Sequence, residues 1–130
     1  VASGANERKD IGAMKLPRNQ EAIVPEDKIS GYLLSESHPV GKAKARYFRK
    51  IGYTEKNVAQ TREDLIKIVV TNAVSEEVST LFGVKYIVDG EVVSPNGTRA
   101  RPRTVWIIEI GEDLPRFVTA YPKGKRSIEE

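Results

Sequence analysis

The hydrophobic pattern of this chain changes period once. Up to about residue 72, apolar residues recur at three- and four-residue spacing, and from Phe82 onward they recur at every second residue. Pro25-Glu26-Asp27 opens a short helix, with proline near its first turn and acids at its amino end, that buries Ile29, Tyr32 and Leu33. After the break at 35–39 a second helix runs to about Ile51, and Gly52 suits its carboxyl-terminal cap. Thr54 or Thr61 caps a third, whose stripe is Leu65, Ile68 and Val69 and whose end is near Asn72. A further helical turn is expected at 75–81.

Beyond it, Val84, Tyr86 and Val88 alternate with Lys85 and Ile87, and Ser94-Pro95-Asn96-Gly97 makes a turn. Residues 100–110 form the longest strand, the chain turns at 111–115, and 116–121 close the sheet. Ala22-Ile23-Val24 can add a short extended segment near the start. Helices first and an antiparallel meander afterwards define an α+β domain over 21–122. Residues 1–20, polar and without period, read as a linker or flexible arm, and 123–130 read as a polar tail.

Composition removes whole classes of chemistry. There is no cysteine and one histidine, which excludes a thiol nucleophile, a disulfide framework, a cysteine zinc site and any two-histidine acid–base pair. No apolar run approaches the roughly 20 residues of a membrane span, and the first residues lack the pattern of a secretory signal. The expected domain is soluble, with no metal and no cofactor.

A net charge of +3 looks bland until it is followed along the chain. Residues 38–53 carry five basic groups and no acid, residues 99–103 carry three arginines, and the sequence between the two blocks is mildly acidic. If folding joins the blocks they make an anion-binding face, for which phosphate is the commonest partner. Otherwise they are two solvated segments that never meet.

The second helix contains a misfit. At 100° per residue Val40, Tyr47, Phe48 and Ile51 share one face, and Lys44 falls in its middle, whereas Lys42, Arg46 and Arg49 point elsewhere. An unpaired ammonium under a core is costly. Lys44 must snorkel past its neighbours, pair with an acid such as Glu109, or project into a cleft between helix and sheet. His38 sits just before this helix, either as a cap or surface residue or as a general base or acid near an anion-binding helix start.

On the closing strand, Phe117, Thr119 and Tyr121 share a face, so two hydroxyls stand about 6.5–7 Å apart. On the strand before it, Arg103 shares a face with Val105, Ile107 and Glu109, while Thr104 shares the other with Trp106 and Ile108. Arg99, Arg101 and Arg103 form a one-sided basic ladder if that strand starts early. One histidine, a misfit lysine, paired hydroxyls and arginines are the parts needed to cleave RNA without metal. A base takes the ribose 2′-OH proton, cations stabilise the phosphorane-like charge, and an acid protonates the leaving 5′-oxygen.

The motifs Tyr32-Leu33-Leu34, His38-Pro39-Val40-Gly41 with Lys44-Ala45-Arg46 and Phe48, Tyr86-Ile87-Val88-Asp89-Gly90, Pro95-Asn96-Gly97, Arg103-Thr104-Val105-Trp106 and Val118-Thr119-Ala120-Tyr121-Pro122 occur here in order. Over about residues 22–122 they resemble a small bacterial domain found alone and as the C-terminal module of polymorphic toxins, including contact-dependent growth inhibition effectors. The closing strand and the order of elements are also similar to the barnase/EndoU/colicin/RelE-like (BECR) ribonuclease superfamily. The resemblance implies a secreted or surface-delivered toxin, the C-terminal part of a larger effector, that acts in the target-cell cytoplasm. It would be an endoribonuclease, a hydrolase with tRNA as the expected substrate, monomeric when free and neutralised by a cognate immunity protein. His38, Lys44, Thr119 and Tyr121 would be catalytic, and Arg103, Thr104, Arg101 and Arg46 would bind substrate. The competing reading is a nonenzymatic RNA- or protein-binding module.

Overall fold

The computed structural model describes residues 14–34 and 42–123. One α-turn (α1, Glu26–Lys28) continues into a π-helical turn over Ile29–Leu33, followed by α2 (Lys42–Lys50) and α3 (Val58–Thr71). Strands β1 (Glu76–Ser79), β2 (Gly83–Asp89), β3 (Val92–Val93), β4 (Arg99–Ala100), β5 (Pro102–Glu109) and β6 (Arg116–Pro122) complete the domain. The main sheet is antiparallel in the order β1-β2-β5-β6, and β3-β4 is a separate hairpin in the β2–β5 connection.

Apolar spacing explains the helices. Ile29 and Leu33 are fully buried, as are Ala45 and, nearly so, Phe48 on α2, and α3 turns Leu65, Ile68 and Val69 inward. Gly52 closes α2 with a positive φ of 109° and its N–H on the carbonyl of Arg49. Thr54 accepts from the Lys56 N–H, and Asn57 Oδ1 accepts from the Thr54 N–H, a reciprocal cap on a 3-10 turn (Glu55–Asn57) that leads into α3. Thr61, the other candidate cap, lies inside α3 with its hydroxyl on the Asn57 carbonyl.

Two expectations change here. Segment 75–81 is not helical but carries β1, whose backbone pairs with β2 from Glu76↔Ile87 to Ser79↔Val84. A ladder of hydrogen bonds along a ready sheet edge outweighs the weak local helix preference. Residues 14–20 are part of the domain rather than an arm: Leu16 is buried, the Val74 N–H donates to the Met14 carbonyl, and Lys15 bridges to Ala73.

The helices cover one face of the sheet, where Tyr86, Val88, Trp106, Phe117 and Ala120 join Leu33, Phe48, Leu65 and Ile68 in one core. Trp106 and Phe117 meet edge to face with centroids 5.3 Å apart. Trp106 Nε1 donates to Thr104 Oγ1 at 2.8 Å, and that hydroxyl donates to the Val88 carbonyl at 2.7 Å. Thr104, expected at a substrate surface, is fully buried and has its hydroxyl engaged on both sides. Its alternation with Arg103 decides this, because only one of the two can face outward. Thr104→Val should lower stability by about 1–3 kcal/mol through the stranded indole N–H. In a Trp106→Phe background the same change should cost clearly less, as thermal or urea unfolding of the double-mutant cycle would show.

Candidate functional site

Strand β6 does not keep strict alternation. Thr104 pairs with Ala120 and Val105 with Thr119, but Trp106 pairs with Phe117, so Val118 is an extra residue in a β-bulge. Phe117 therefore packs in the core with Ala120, while Thr119 and Tyr121 stand on the other face opposite Val105 and Arg103. The expectation that Phe117, Thr119 and Tyr121 share a face is corrected by this one inserted residue. Lys28 Nζ donates to the bulge carbonyl of Val118 at 3.2 Å, and the Phe117 N–H donates to the carbonyl of Ile23, whose segment flanks the first half of β6.

Two side chains from the helical half converge on the Thr119 hydroxyl. Tyr32 Oη lies 3.3 Å from Thr119 Oγ1, and Lys44 Nζ lies 3.5 Å from the same oxygen. Lys44 also sits 5.3 Å from the centre of the Tyr121 ring, and Lys28 sits 5.1 Å from that of Tyr32. Both ammonium groups thus rest on aromatic faces that attract cations. Lys44 thus reaches from α2 to the side chains of the edge strand β6 and does not pair with Glu109. Glu109 is at the opposite end of β5, paired with Gly83.

Arg103 reaches the same place from the sheet. Its Nε and Nη2 hold both oxygens of Asp89 at 2.8 and 2.9 Å, and Lys123 Nζ lies 3.4 Å from Asp89 Oδ2. Burial alone would push the Asp89 carboxyl up. The Arg103 hydrogen bonds and the charges of Arg103 and Lys123 outweigh it and hold the carboxyl below its ordinary value. The pKa of Arg103 is raised, chiefly by its hydrogen bonds to Asp89, with Tyr121 adding to the effect.

The two basic blocks therefore meet at Tyr121: Lys44 from the first lies over its ring, and Arg103 from the second is its cross-strand partner. Arg46 and Arg101 are exposed, and Arg99, in the β3-β4 hairpin, faces Glu91 at 3.6 Å, so no continuous arginine ladder forms. Arg49, off the buried face of α2, donates to the Leu34 carbonyl at 2.7 Å and pairs with Glu55. His38 lies outside the described residues. Tyr32, Lys28, Asp89 and Lys123 are site members that sequence reasoning missed. Only Lys28 and Tyr32 left a signal, a four-residue spacing that stacks them on one helical face.

A family model matches residues 15–124, that of a domain of unknown function, DUF6883. The chain belongs to this family. In fold, the DUF6883 domain is similar to a chain of a contact-dependent growth inhibition toxin–immunity protein complex from Klebsiella pneumoniae 342. The TM-score is 0.63 at 16% identity, over 82% of this chain and 97% of that one. No curated protein matches. Among the described residues of the DUF6883 domain, no helix is long and apolar enough to cross a membrane, and no three acidic or histidine side chains gather as a metal site.

Asp89 gives the site a defined pH response. Its lowered pKa contributes stability that is complete above the ordinary value of 3.8 and is lost as pH falls through the lowered one. Asp89→Asn should cost about 1–2 kcal/mol at neutral pH. The gap in melting temperature between wild type and variant should close as the pH is taken below the carboxylate range; a gap independent of pH would contradict the pairing.

Proposed function

We propose that this domain is a metal-independent endoribonuclease, the toxin module of a contact-dependent growth inhibition effector, with tRNA as substrate and an immunity protein as its partner. The observation that carries the reading is the convergence of Lys44, Arg103, Thr119 and Tyr121 where the two basic blocks meet. The fold likeness to a chain of a toxin–immunity complex supports the biological setting. A cation cluster with hydroxyls suits a protein that handles RNA phosphates, and so favours the toxin over the immunity role.

In this mechanism His38 acts as general base toward the ribose 2′-OH. The resulting oxyanion attacks the adjacent phosphorus, and the bond to the 5′-oxygen breaks as an acid protonates it. The products are a 2′,3′-cyclic phosphate and a free 5′-hydroxyl. Lys44 stabilises the charge that builds on the nonbridging oxygens. Arg103, its guanidinium fixed in orientation by the fork of bonds to Asp89, clamps a phosphate. Thr119 and Tyr121 hold the nucleotide against these groups. Delivery by a larger effector to the target-cell cytoplasm completes the proposal.

Purified protein incubated with total tRNA in EDTA should generate fragments ending in 2′,3′-cyclic phosphate. Lys44→Ala and His38→Ala should each lower the rate by about 100-fold or more. Intact tRNA with wild type, or undiminished cleavage by both variants, would overturn the mechanism, and loss of activity in EDTA would overturn its metal independence. Salt-sensitive binding without cleavage would instead identify a nonenzymatic RNA-binding module.

A further inference from the structure

The far end of the sheet carries the opposite chemistry. Leu81, Phe82 and Ile110 are 89%, 74% and 75% exposed, and they are neighbours, because the Ile110 N–H donates to the Phe82 carbonyl at 3.0 Å. Large apolar side chains grouped on a surface mark interaction sites more often than chance exposure. The turn that carries them is closed by hydrogen bonds. Thr80 Oγ1 accepts from the N–H groups of Phe82 and Gly83, and the Thr80 N–H donates to the Gly83 carbonyl at 2.8 Å. Gly83 has φ 151°, and a Cβ there would meet the Ile108 carbonyl oxygen at 2.3 Å, so this turn accepts no side chain at its base.

Beside the tip lies β1, exposed at all four positions and paired among the described residues only with β2. Its outer edge offers backbone donors and acceptors for another strand. Residues 76–84 and 109–115 hold Glu76, Glu77, Glu109, Glu112 and Asp113, an acidic excess over the two basic residues that border them, Lys85 opposite Val78 and Arg116. Gly83 and Asp89, at opposite ends of β2, are about 20 Å apart along the strand, so the Leu81-Phe82 tip and Glu109 lie well away from the Lys44–Arg103 cluster, while Glu76, paired with Ile87, stands at the other end of β1.

We infer that β1 and the Leu81-Phe82 tip are a docking surface for a protein partner that adds an extended segment bearing lysine or arginine between apolar residues. The acids repel a nucleic acid. A second copy offers no complement to them, since antiparallel β1–β1 pairing in full register sets Glu76 against Ser79 and Glu77 against Val78, with no cation opposite either acid. A basic strand meets complementary charge on the edge and an apolar anchor at the tip. The inference is independent of the nuclease reading and would stand if no RNA were cleaved.

The test is an amide chemical-shift titration of the full chain with a short capped peptide alternating lysine and valine, and with its glutamate–valine counterpart as control. The lysine peptide should shift residues 76–84 and 109–112, leaving those around Tyr121 unmoved. The paired change Leu81→Ser, Phe82→Ser should weaken binding at least about tenfold without lowering the melting temperature. Glu76→Lys with Glu77→Lys should weaken it likewise, which guards against a folding defect in the first variant. No shifts at millimolar peptide, equal binding of the glutamate peptide, shifts centred on the Lys44–Arg103 cluster, or concentration-dependent dimerisation through β1 would each overturn the inference.

Discussion

The bulge at Val118 is the constraint on which the candidate site depends. Without it, β6 would alternate regularly, and a strand that buries Phe117 would also turn Thr119 and Tyr121 toward the core. With one residue inserted, Phe117 and Ala120 both stay in the core while Thr119 and Tyr121 come to stand beside Val105 and Arg103. The inserted residue leaves a carbonyl outside the regular ladder, and Lys28 satisfies it from the first helical turn. Core packing and site geometry are thus set by the same irregularity, and it is tied to the helices by a lysine that also rests on Tyr32.

The site puts like charges together and stabilises them separately. Arg103 and Lys123 share one carboxylate, so the sheet side of the cluster keeps one positive charge in excess while Asp89 fixes the guanidinium's orientation. Lys44 and Lys28 have aromatic faces and hydroxyl or carbonyl oxygens instead. Such contacts hold an ammonium in position without cancelling its charge, which leaves the helix side able to attract an anion. Charge is unevenly placed on the sheet: Lys44, Arg103 and Lys123 gather where β6 ends, and Glu109, Glu112 and Asp113 lie in the turn from β5 to β6.

Much of the architecture was legible because it follows from periodicity. Ile29 and Leu33, then Phe48 and Ile51, then Leu65 and Ile68 mark the helices, and Val84, Tyr86 and Val88 mark the first long strand. The misfit of Lys44 and the clustering of positive charge were visible too, and both bear on the site. What alternation cannot reveal is a break in alternation, so the true face of Thr119 was hidden. Register was hidden as well: Asp89 meets Arg103 only because β2 and β5 pair across an inserted β3-β4 hairpin, and nothing local to Asp89 announces that partner. The polar Thr104 could not be told from a surface residue until Trp106 and Val88 were seen to occupy its hydroxyl. The strand at 76–79 likewise depends on a sheet edge supplied by distant sequence.

In the proposed mechanism the ground between Lys44, Thr119, Tyr121 and Arg103 receives an RNA phosphate. A 2′-deoxy-substituted RNA oligonucleotide, which can bind but lacks the attacking hydroxyl at the cut position, allows this to be observed directly by crystallography of the complex. A backbone phosphate should lie within hydrogen-bonding distance of Lys44 Nζ and the Arg103 guanidinium, with Thr119 and Tyr121 against the same nucleotide. An oligonucleotide bound elsewhere on the domain, with Arg103 still facing only Asp89 and Lys44 untouched, would contradict it.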